Sequence, residues 1–481
     1  MEHQSSTQIP HVLIFPVPLQ GHVGPLLDLA ELLCLAYFKI TFLHTTHNHQ
    51  WLTKHTDIEA RFSRYPGFKY KTVPDGLPDA HPRTDPLRLS ELFKGLASSA
   101  KPLLRDILVG DKVTCLILDE WLSFAYEIAS EVQVPVMAFS TSGACFTWIL
   151  HCIPKLVEAG DIPFKDEEMD KLVKNAPGMD SFLRYRDLPS FCRKLDTSSC
   201  RKLQHRFSGE IQLIKQAHSF ILNTFEDLEG PCLSLIREHC SKVYSIGPLH
   251  AHLDYKLGTK EKTLSNTNNF LEVDQSCISW LDHKPDKSVV YVSFGSLAIL
   301  TKDQLTEFWV GLVQSNKYFL WVIRPDLVIK SDLNSPITQD YLLDGTKKRG
   351  CIVKWAPQKE VLAHRAVGGF FTHCGWNSIL ESIVTGVPML CWPYFTDQLI
   401  NSRYVSYIWK IGLDMKDTCD RTRVKNMIND LMERKHDKLE TSMSIMSHLT
   451  NKSISEGGSS YTNLDHLIEE IKAFIKKEPT F

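Results

Sequence analysis

Residues 355–398 read WAPQKEVLAHRAVGGFFTHCGWNSILESIVTGVPMLCWPYFTDQ. An indole, Trp355, opens this stretch, and an acid and an amide, Asp397 and Gln398, close it. His373, Trp376, Asn377, Ser378 and Glu381 lie between. Residues 367–371 are a short apolar run with two glycines, followed by Thr372-His373-Cys374-Gly375-Trp376-Asn377-Ser378 and then an apolar pattern of helical period. The pattern predicts strand, tight turn and helix start. Free backbone N–H groups and the positive end of the helix dipole make such a terminus a site for an anion such as a diphosphate. Asn377 and Ser378 can add side-chain donors there, or simply cap the helix. An indole face suits a planar base and a carboxylate suits vicinal hydroxyls, so the stretch as a whole suits a nucleotide sugar.

A second chemical segment lies near the start of the chain. HVLIFPVPLQGHVGPLLDLAELL places His22 directly after a strand-like run and at the head of a helix whose apolar face is Leu26, Leu29, Ala30 and Leu33. Histidine's ordinary pKa leaves a neutral imidazole near pH 7, which suits a general base; a cap or a core residue is the plain alternative. Asp119 follows the apolar run 115–118 and could orient an imidazole or cap the next helix. Ser296, in Ser293-Phe294-Gly295-Ser296 after another apolar run, is a further candidate phosphate donor, and Gly295 permits close approach.

These side chains need a scaffold. Short β-like runs alternate with amphipathic helical stretches, which predicts parallel sheets covered by helices on both faces. Residues 11–15, 40–43, 115–118, 136–139 and 219–222 are the expected strands of a first sheet; 288–292, 318–323, 351–354, 368–371 and 389–391 are those of a second. Between them, a polar, unpatterned stretch rich in Lys, Asn and Thr reads as a linker. The expected division is a first domain over 1–248, a linker over 249–270, a second domain over 271–460 and a closing helix within 461–481. Each domain is a doubly wound α/β unit, with ligands at the carboxyl ends of its strands.

Composition agrees. A chain of 481 residues, 43% apolar and 10% aromatic, is long enough for two cores. Lys and Arg number 54 against 56 Asp and Glu, so no net field draws nucleic acid or anionic lipid. Thirteen cysteines, an odd number without a C-x-x-C pair, argue for reduced thiols and a cytoplasmic protein. No apolar run reaches the ~18 residues of a membrane span, and the N-terminus carries no signal-peptide pattern. The cluster His44-Thr45-Thr46-His47-Asn48-His49 lacks companion ligands for zinc and is expected to be a loop after the second strand. Lys347-Lys348-Arg349 reads as a solvated turn.

Position by position, residues 355–398 resemble the nucleotide-sugar signature of plant UDP-dependent glycosyltransferases: W-x-P-Q, H-C-G-W-N-S, Glu381 three residues on, G-V-P, W-P and the terminal D-Q. P-x-P-x-Q-G-H around His22 matches the segment that bears the general base in that family. The resemblance implies the GT-B arrangement, two Rossmann-like domains facing across a cleft, with the acceptor in the first, the donor in the second, and the last helix, 464–476, crossing back to the first. It implies that Trp355 stacks on uracil with Ala356 beside it, that Gln358 and Glu381 hold the ribose, and that His373, Asn377 and Ser378 bind the diphosphate. Trp376, Asp397 and Gln398 would face the sugar, and a terminal Gln goes with glucose more often than galactose. His22 would deprotonate an acceptor hydroxyl, oriented by Asp119. Glu120 stands where relatives often have a small residue, which leaves the orienting carboxylate open between Asp119 and Glu120. The implied reaction is an inverting displacement giving a β-glucoside and UDP. UDP-glucose is the co-substrate, and no metal is required because the chain has no D-x-D pair.

The acceptor side is less defined. Ser142, Gly143, Phe146 and Trp148 suit a flat apolar acceptor, with plain helix core as the alternative. Phrases such as RYPGF, DGLPD, ILNTFEDLEGP and WKIGLDMKDTCDR resemble plant glucosyltransferases acting on iridoids. An acidic iridoid such as 7-deoxyloganetic acid would call for an arginine, and Arg184, Arg186 and Arg193 form the clustered candidates, Arg186 foremost. Another terpenoid or a phenolic acceptor remains an alternative, as does a non-catalytic nucleotide-sugar-binding protein. A dinucleotide-dependent oxidoreductase would need G-x-G-x-x-G after a strand, and the chain has none.

Overall fold

Near-continuous apolar runs of four to six residues become the central strands, buried on both faces as parallel sheets require. The computed structural model describes residues 9–193, 195–258, 270–327 and 340–475. In its first half β1 (His11–Phe15), β2 (Lys39–Thr45), β3 (Phe68–Val73), β4 (Cys115–Asp119), β5 (Val136–Ser140), β6 (Ser219–Leu222) and β7 (Val243–Ser245) form a parallel sheet in the order β3-β2-β1-β4-β5-β6-β7. In the second half β8 (Val289–Ser293), β9 (Tyr318–Val322), β10 (Gly350–Val353), β11 (Val367–Thr372), β12 (Met389–Cys391) and β13 (Gly412–Asp414) form a parallel sheet in the order β10-β9-β8-β11-β12-β13.

Strand order reverses between β1 and β4 in one sheet and between β8 and β11 in the other. In a doubly wound sheet such a switch point leaves a crevice beyond the strand ends, because the helices on either side leave in opposite directions. Phe15 pairs with Leu118 across the first switch, and Thr372 with Ser293 across the second. His22, Asp119, Ser296 and His373 all follow or end these four strands.

Three expected features take a different form. β3, β7 and β13 join the ten predicted strands. The start of the expected linker is the helix Leu249–Leu257, whose Leu249, Ala251, His252 and Leu253 are buried, with Leu249 and Leu253 in the core shared with the helix Gln20–Leu35. The histidine cluster is not a loop: His44 lies in β2, and His47 and His49 lie on the helix Thr46–His55. Residues 259–269 of the expected linker, and the closing helix beyond Ile475, lie outside the described residues. The described part of that helix, Ser459–Ile475, buries Leu464, Leu467 and Ile471 in the core of the first sheet, with Cys115 and Ile117 of β4.

Candidate active site

The turn after β1 sets the first reactive group. The chain bends at Pro18, where the Leu19 N–H donates to the Val17 carbonyl at 2.8 Å, Leu19 enters the helix Gln20–Leu35 without a side-chain cap, and the backbone N–H of His22 donates to the Leu19 carbonyl at 2.9 Å. His22 therefore sits in the first turn of that helix, its side chain 21% exposed. Its Nδ1 lies 2.7 Å from Asp119 Oδ2 and 3.1 Å from Thr141 Oγ1. Asp119 Oδ2 also accepts from the Val17 N–H at 3.2 Å, and Oδ1 from that of Trp121 at 3.3 Å. A carboxylate can only accept, so Nδ1 carries the hydrogen and Nε2 is left with a lone pair.

Glu120 takes no part in this pair. It accepts from Ser140 Oγ at 2.6 Å, and burial pushes its carboxyl up to about 8, with the charge of Asp119 adding to the rise. Of the two carboxylates left open by the sequence, Asp119 is the one that meets His22.

In the second sheet, β11 ends at Thr372 and the chain turns tightly. Cys374 adopts φ 66° and donates its backbone N–H to Thr372 Oγ1, and Gly375 leads into the helix Trp376–Thr385 without a side-chain cap. The N–H groups of that first turn remain available to an anion. His373 is clasped between two glycines: a Cβ on Gly375 would fall 2.5 Å from its Nε2, and one on Gly295 would strike the same imidazole. Burial, with Arg324 nearby, lowers His373 to about 4, so the imidazole is neutral at pH 7. Ser293 and Ser296 line the same wall.

A bonded chain runs beside this terminus. Gln358 Oε1 accepts from the Tyr291 hydroxyl at 3.2 Å, and its Nε2 donates to Ser378 Oγ at 2.9 Å and Glu381 Oε2 at 2.7 Å. Burial raises the Glu381 carboxyl. Ser378 is thus tied to the two residues expected at the ribose rather than standing alone toward the diphosphate. Asn377 reaches across to the first half, its Nδ2 donating to the Gly21 carbonyl at 2.8 Å, one residue from His22. Trp376 packs its ring on Gly143 and donates its indole N–H to the Asn223 carbonyl at 2.8 Å. Asp397 accepts from Thr396 Oγ1 and Asn401 Nδ2 and is raised by burial, while Gln398 Oε1 accepts from the Tyr394 and Phe395 N–H groups, leaving Nε2 for a ligand.

All these groups face one cavity of about 500 Å³ between the two sheets. His22, Ser296, Trp355, Ala356, Gln358, His373, Trp376, Asn377, Ser378, Glu381, Asp397 and Gln398 line it, as do Ser142 and Phe146; Asp119 stands behind His22. Trp355 is half-buried, and its Nε1 has no hydrogen-bond partner among the described residues.

Three arginines and one aromatic expected at the acceptor are elsewhere. Arg186 pairs with Asp170 at 2.6 Å and Asp417 at 3.1 Å, Arg193 with Asp417 at 3.0 Å, and Arg184 with Asp187 at 2.9 Å. None lines the cavity, because the three guanidiniums turn to Asp170, Asp187 and Asp417 while Phe191 of the same segment faces the cavity. Trp148 turns its N–H to the Pro177 carbonyl and stacks on His151 and His239. The cavity wall instead includes Trp121, Thr141, Phe191, Leu203, Arg206 and Phe207, which sequence reasoning missed. The apolar pair Leu203 and Phe207, four apart on the helix Thr197–Gln216, was the available signal for that face. Among the described residues no group of three or more His, Cys, Asp or Glu could hold a metal ion. His44 Nε2 and His49 Nδ1 bond to each other at 3.0 Å.

Known proteins with this arrangement are numerous. A family model for UDP-glucoronosyl and UDP-glucosyl transferase matches residues 266–451. The 7-deoxyloganetic acid glucosyltransferase of Catharanthus roseus is 51% identical, over 99% of this chain and 100% of its own. A myricetin 3-O-rhamnoside 1,2-glucosyltransferase of Crocosmia x crocosmiiflora is 42% identical, over 96% of each. Among solved structures, Os79 from O. sativa in complex with UDP superposes with TM-score 0.78 at 26% identity, covering 96% of this chain and 100% of that one. Phytolacca americana UGT2, complexed with UDP-2fluoro-glucose and pterostilbene, gives 0.74 at 26% identity, covering 96% and 99%. The donor signature therefore sits in a GT-B fold shared end to end with named glucosyltransferases, and the chain belongs to the plant UDP-dependent glycosyltransferases.

Proposed function

We propose that the protein transfers glucose from UDP-glucose, with inversion, to a hydroxyl of an acidic iridoid of the 7-deoxyloganetic type, giving a β-glucoside. The 51% identical relative supports the acceptor class. The observation that carries the mechanism is the 2.7 Å contact between His22 Nδ1 and Asp119 Oδ2, which holds His22 on the wall of the cavity lined by the donor signature.

The acceptor hydroxyl gives its proton to His22 Nε2 as its oxygen bonds to the anomeric carbon. The bond from that carbon to the β-phosphate oxygen breaks on the opposite face, and UDP departs with the electron pair. Asp119 holds the imidazole in the reactive tautomer and stabilises the imidazolium. The N-terminus of the helix Trp376–Thr385, His373 and Ser296 meet the growing diphosphate charge, so the step asks for no metal. Trp355 covers uracil, Gln358 and Glu381 hold the ribose, and Asp397 and the free Nε2 of Gln398 hold glucose hydroxyls. On this reading the first half, residues 1–248, binds acceptor and the second, 271–460, binds donor. All thirteen cysteines are unpaired thiols, which suits the cytoplasm.

Purified protein incubated with UDP-glucose and the iridoid acid should yield one β-glucoside by mass and NMR. A His22→Ala variant should bind UDP-glucose as wild type does while turnover falls by about 100-fold or more. Unchanged turnover in that variant would remove His22 as the base.

A further inference from the structure

The two ends of the cavity differ in polarity. At the donor end, amides, hydroxyls and carboxylates crowd the wall. At the other end the wall is Leu89, Phe93, Trp121, Phe191, Leu203 and Phe207, a surface for a carbon skeleton. One cation interrupts it. Of the described residues that line the cavity only Lys359 and Arg206 are Lys or Arg, and Lys359 adjoins Gln358 in the donor signature. Among the described residues, Arg206 therefore supplies the only fixed positive charge at the apolar end.

Its placement leaves it ready for an anion. The guanidinium carbon lies 5.6 Å from the Trp121 ring centroid and 5.7 Å from that of Phe207, so two aromatic rings support it. Nε donates to Glu210 Oε1 at 3.0 Å, one helical turn along. That bond uses one of five N–H donors; the terminal nitrogens make no hydrogen bond among the described residues, and their fork geometry matches a carboxylate. Glu210 competes for the guanidinium through this bond, although burial raises its carboxyl despite Arg206 beside it.

We infer that Arg206 selects the acceptor by its carboxylate: the guanidinium on its aromatic shelf takes the acid group, and the apolar wall takes the carbon skeleton. This rests on the reading of the protein as a glucosyltransferase of small acidic acceptors, and it moves the recognition of the acid from Arg186 to the helix Thr197–Gln216. Arg206 is 57% exposed at its side chain, so its replacement should leave the fold intact.

The test is the ratio of kcat/KM for an acid to that for its methyl ester, measured on an iridoid pair and on a phenolic pair. Wild type should favour the acid. Arg206→Gln should cut the ratio about tenfold, mainly through KM for the acid, and Arg206→Lys should restore part of it. Glu210→Gln, which removes the competing carboxylate, should raise the ratio several-fold, an outcome that a merely structural role for Arg206 does not produce. Activity on the phenolic pair alone would sink the iridoid reading while still testing Arg206. Loss of acid and ester in equal measure in Arg206→Gln, or no preference for the acid by wild type on either pair, overturns the assignment.

Discussion

Asp119 and Glu120 are neighbours in sequence, and what their oxygens meet separates them. Asp119, the last residue of β4, accepts from His22 and from two backbone N–H groups, whereas Glu120 points away to a single hydroxyl, Ser140 Oγ. With no cation among its perturbing neighbours, Glu120 is pushed up to about 8 by burial and by Asp119. The folded state thus keeps a proton that the unfolded chain releases near the ordinary value of 4.5. Across the window from about 4.5 to 8 folding binds a proton, so stability falls as pH rises, by up to about 1.4 kcal/mol per pH unit, and levels off above it. Glu120→Gln mimics the protonated form. Its thermal midpoint should exceed that of wild type by a few °C at pH 8 and match it near pH 4.5; an equal shift at both would show that Glu120 does not titrate in this window. At this scale the residues read as donor-binding could be picked out together because one continuous stretch carries them at fixed offsets, and they do line one cavity. Asp119 and Glu120 could not be told apart, since successive strand residues face opposite sides and only the packed sheet says which side holds His22. Arg186 misled for a related reason: its neighbours in sequence approach the cavity, but its own loop lies against Asp417.

At the scale of elements, the loops proposed to meet the diphosphate depend on their glycines. In both switch-point loops of the second sheet, a glycine makes room for the His373 ring: Gly295 after β8 and Gly375 after β11. Gly375 has φ −61°, which any residue adopts, so its role is space rather than backbone freedom. Gly375→Ala should force the imidazole out of its slot and disturb the helix start, raising the Kd for UDP about tenfold by calorimetry with little change in thermal midpoint. An unaltered Kd would mean that His373 is not part of the diphosphate site. The strands that build these loops were readable as apolar runs. β3, FKYKTV, was hidden because its lysines alternate outward at the sheet edge, and β7 and β13 are three residues each, too short for a period to show. The helix Leu249–Leu257 was hidden by its two histidines and its lysine. It is helical because it packs on Gln20–Leu35, a tertiary cause that local pattern does not contain.

At the scale of the molecule, the two sheets are stitched on both sides of the cavity. Trp376 and Trp409 donate indole N–H groups to the Asn223 and Leu228 carbonyls, and Arg403 donates to that of Phe182. Behind them lies a buried ion cluster. Asp187, fully buried in the first half, receives Lys416 Nζ of the second at 2.6 Å and the Arg184 guanidinium at 2.9 Å. Burial alone would raise the Asp187 carboxyl, but Lys416 and Arg184 outweigh it and hold it below the ordinary range. A buried pair costs most when one partner is removed and the other stays charged. Here Arg184 remains to neutralise Asp187, so Lys416→Met should cost about 2 kcal/mol rather than the ~3–5 kcal/mol of an orphaned charge. Asp187→Asn should cost more, since it removes the fully buried acceptor shared by Lys416, Arg184 and Arg403 and leaves Lys416 and Arg184 only their longer contacts to Asp414 and Asp170. In the double variant the losses should fall short of additivity by about 1–3 kcal/mol, measured by urea unfolding. Simple additivity would show that Lys416 is held by packing alone. Because the cluster does not line the cavity, the Lys416→Met protein should keep the UDP affinity of wild type; a weakened affinity would mean that this contact sets how the donor half meets His22.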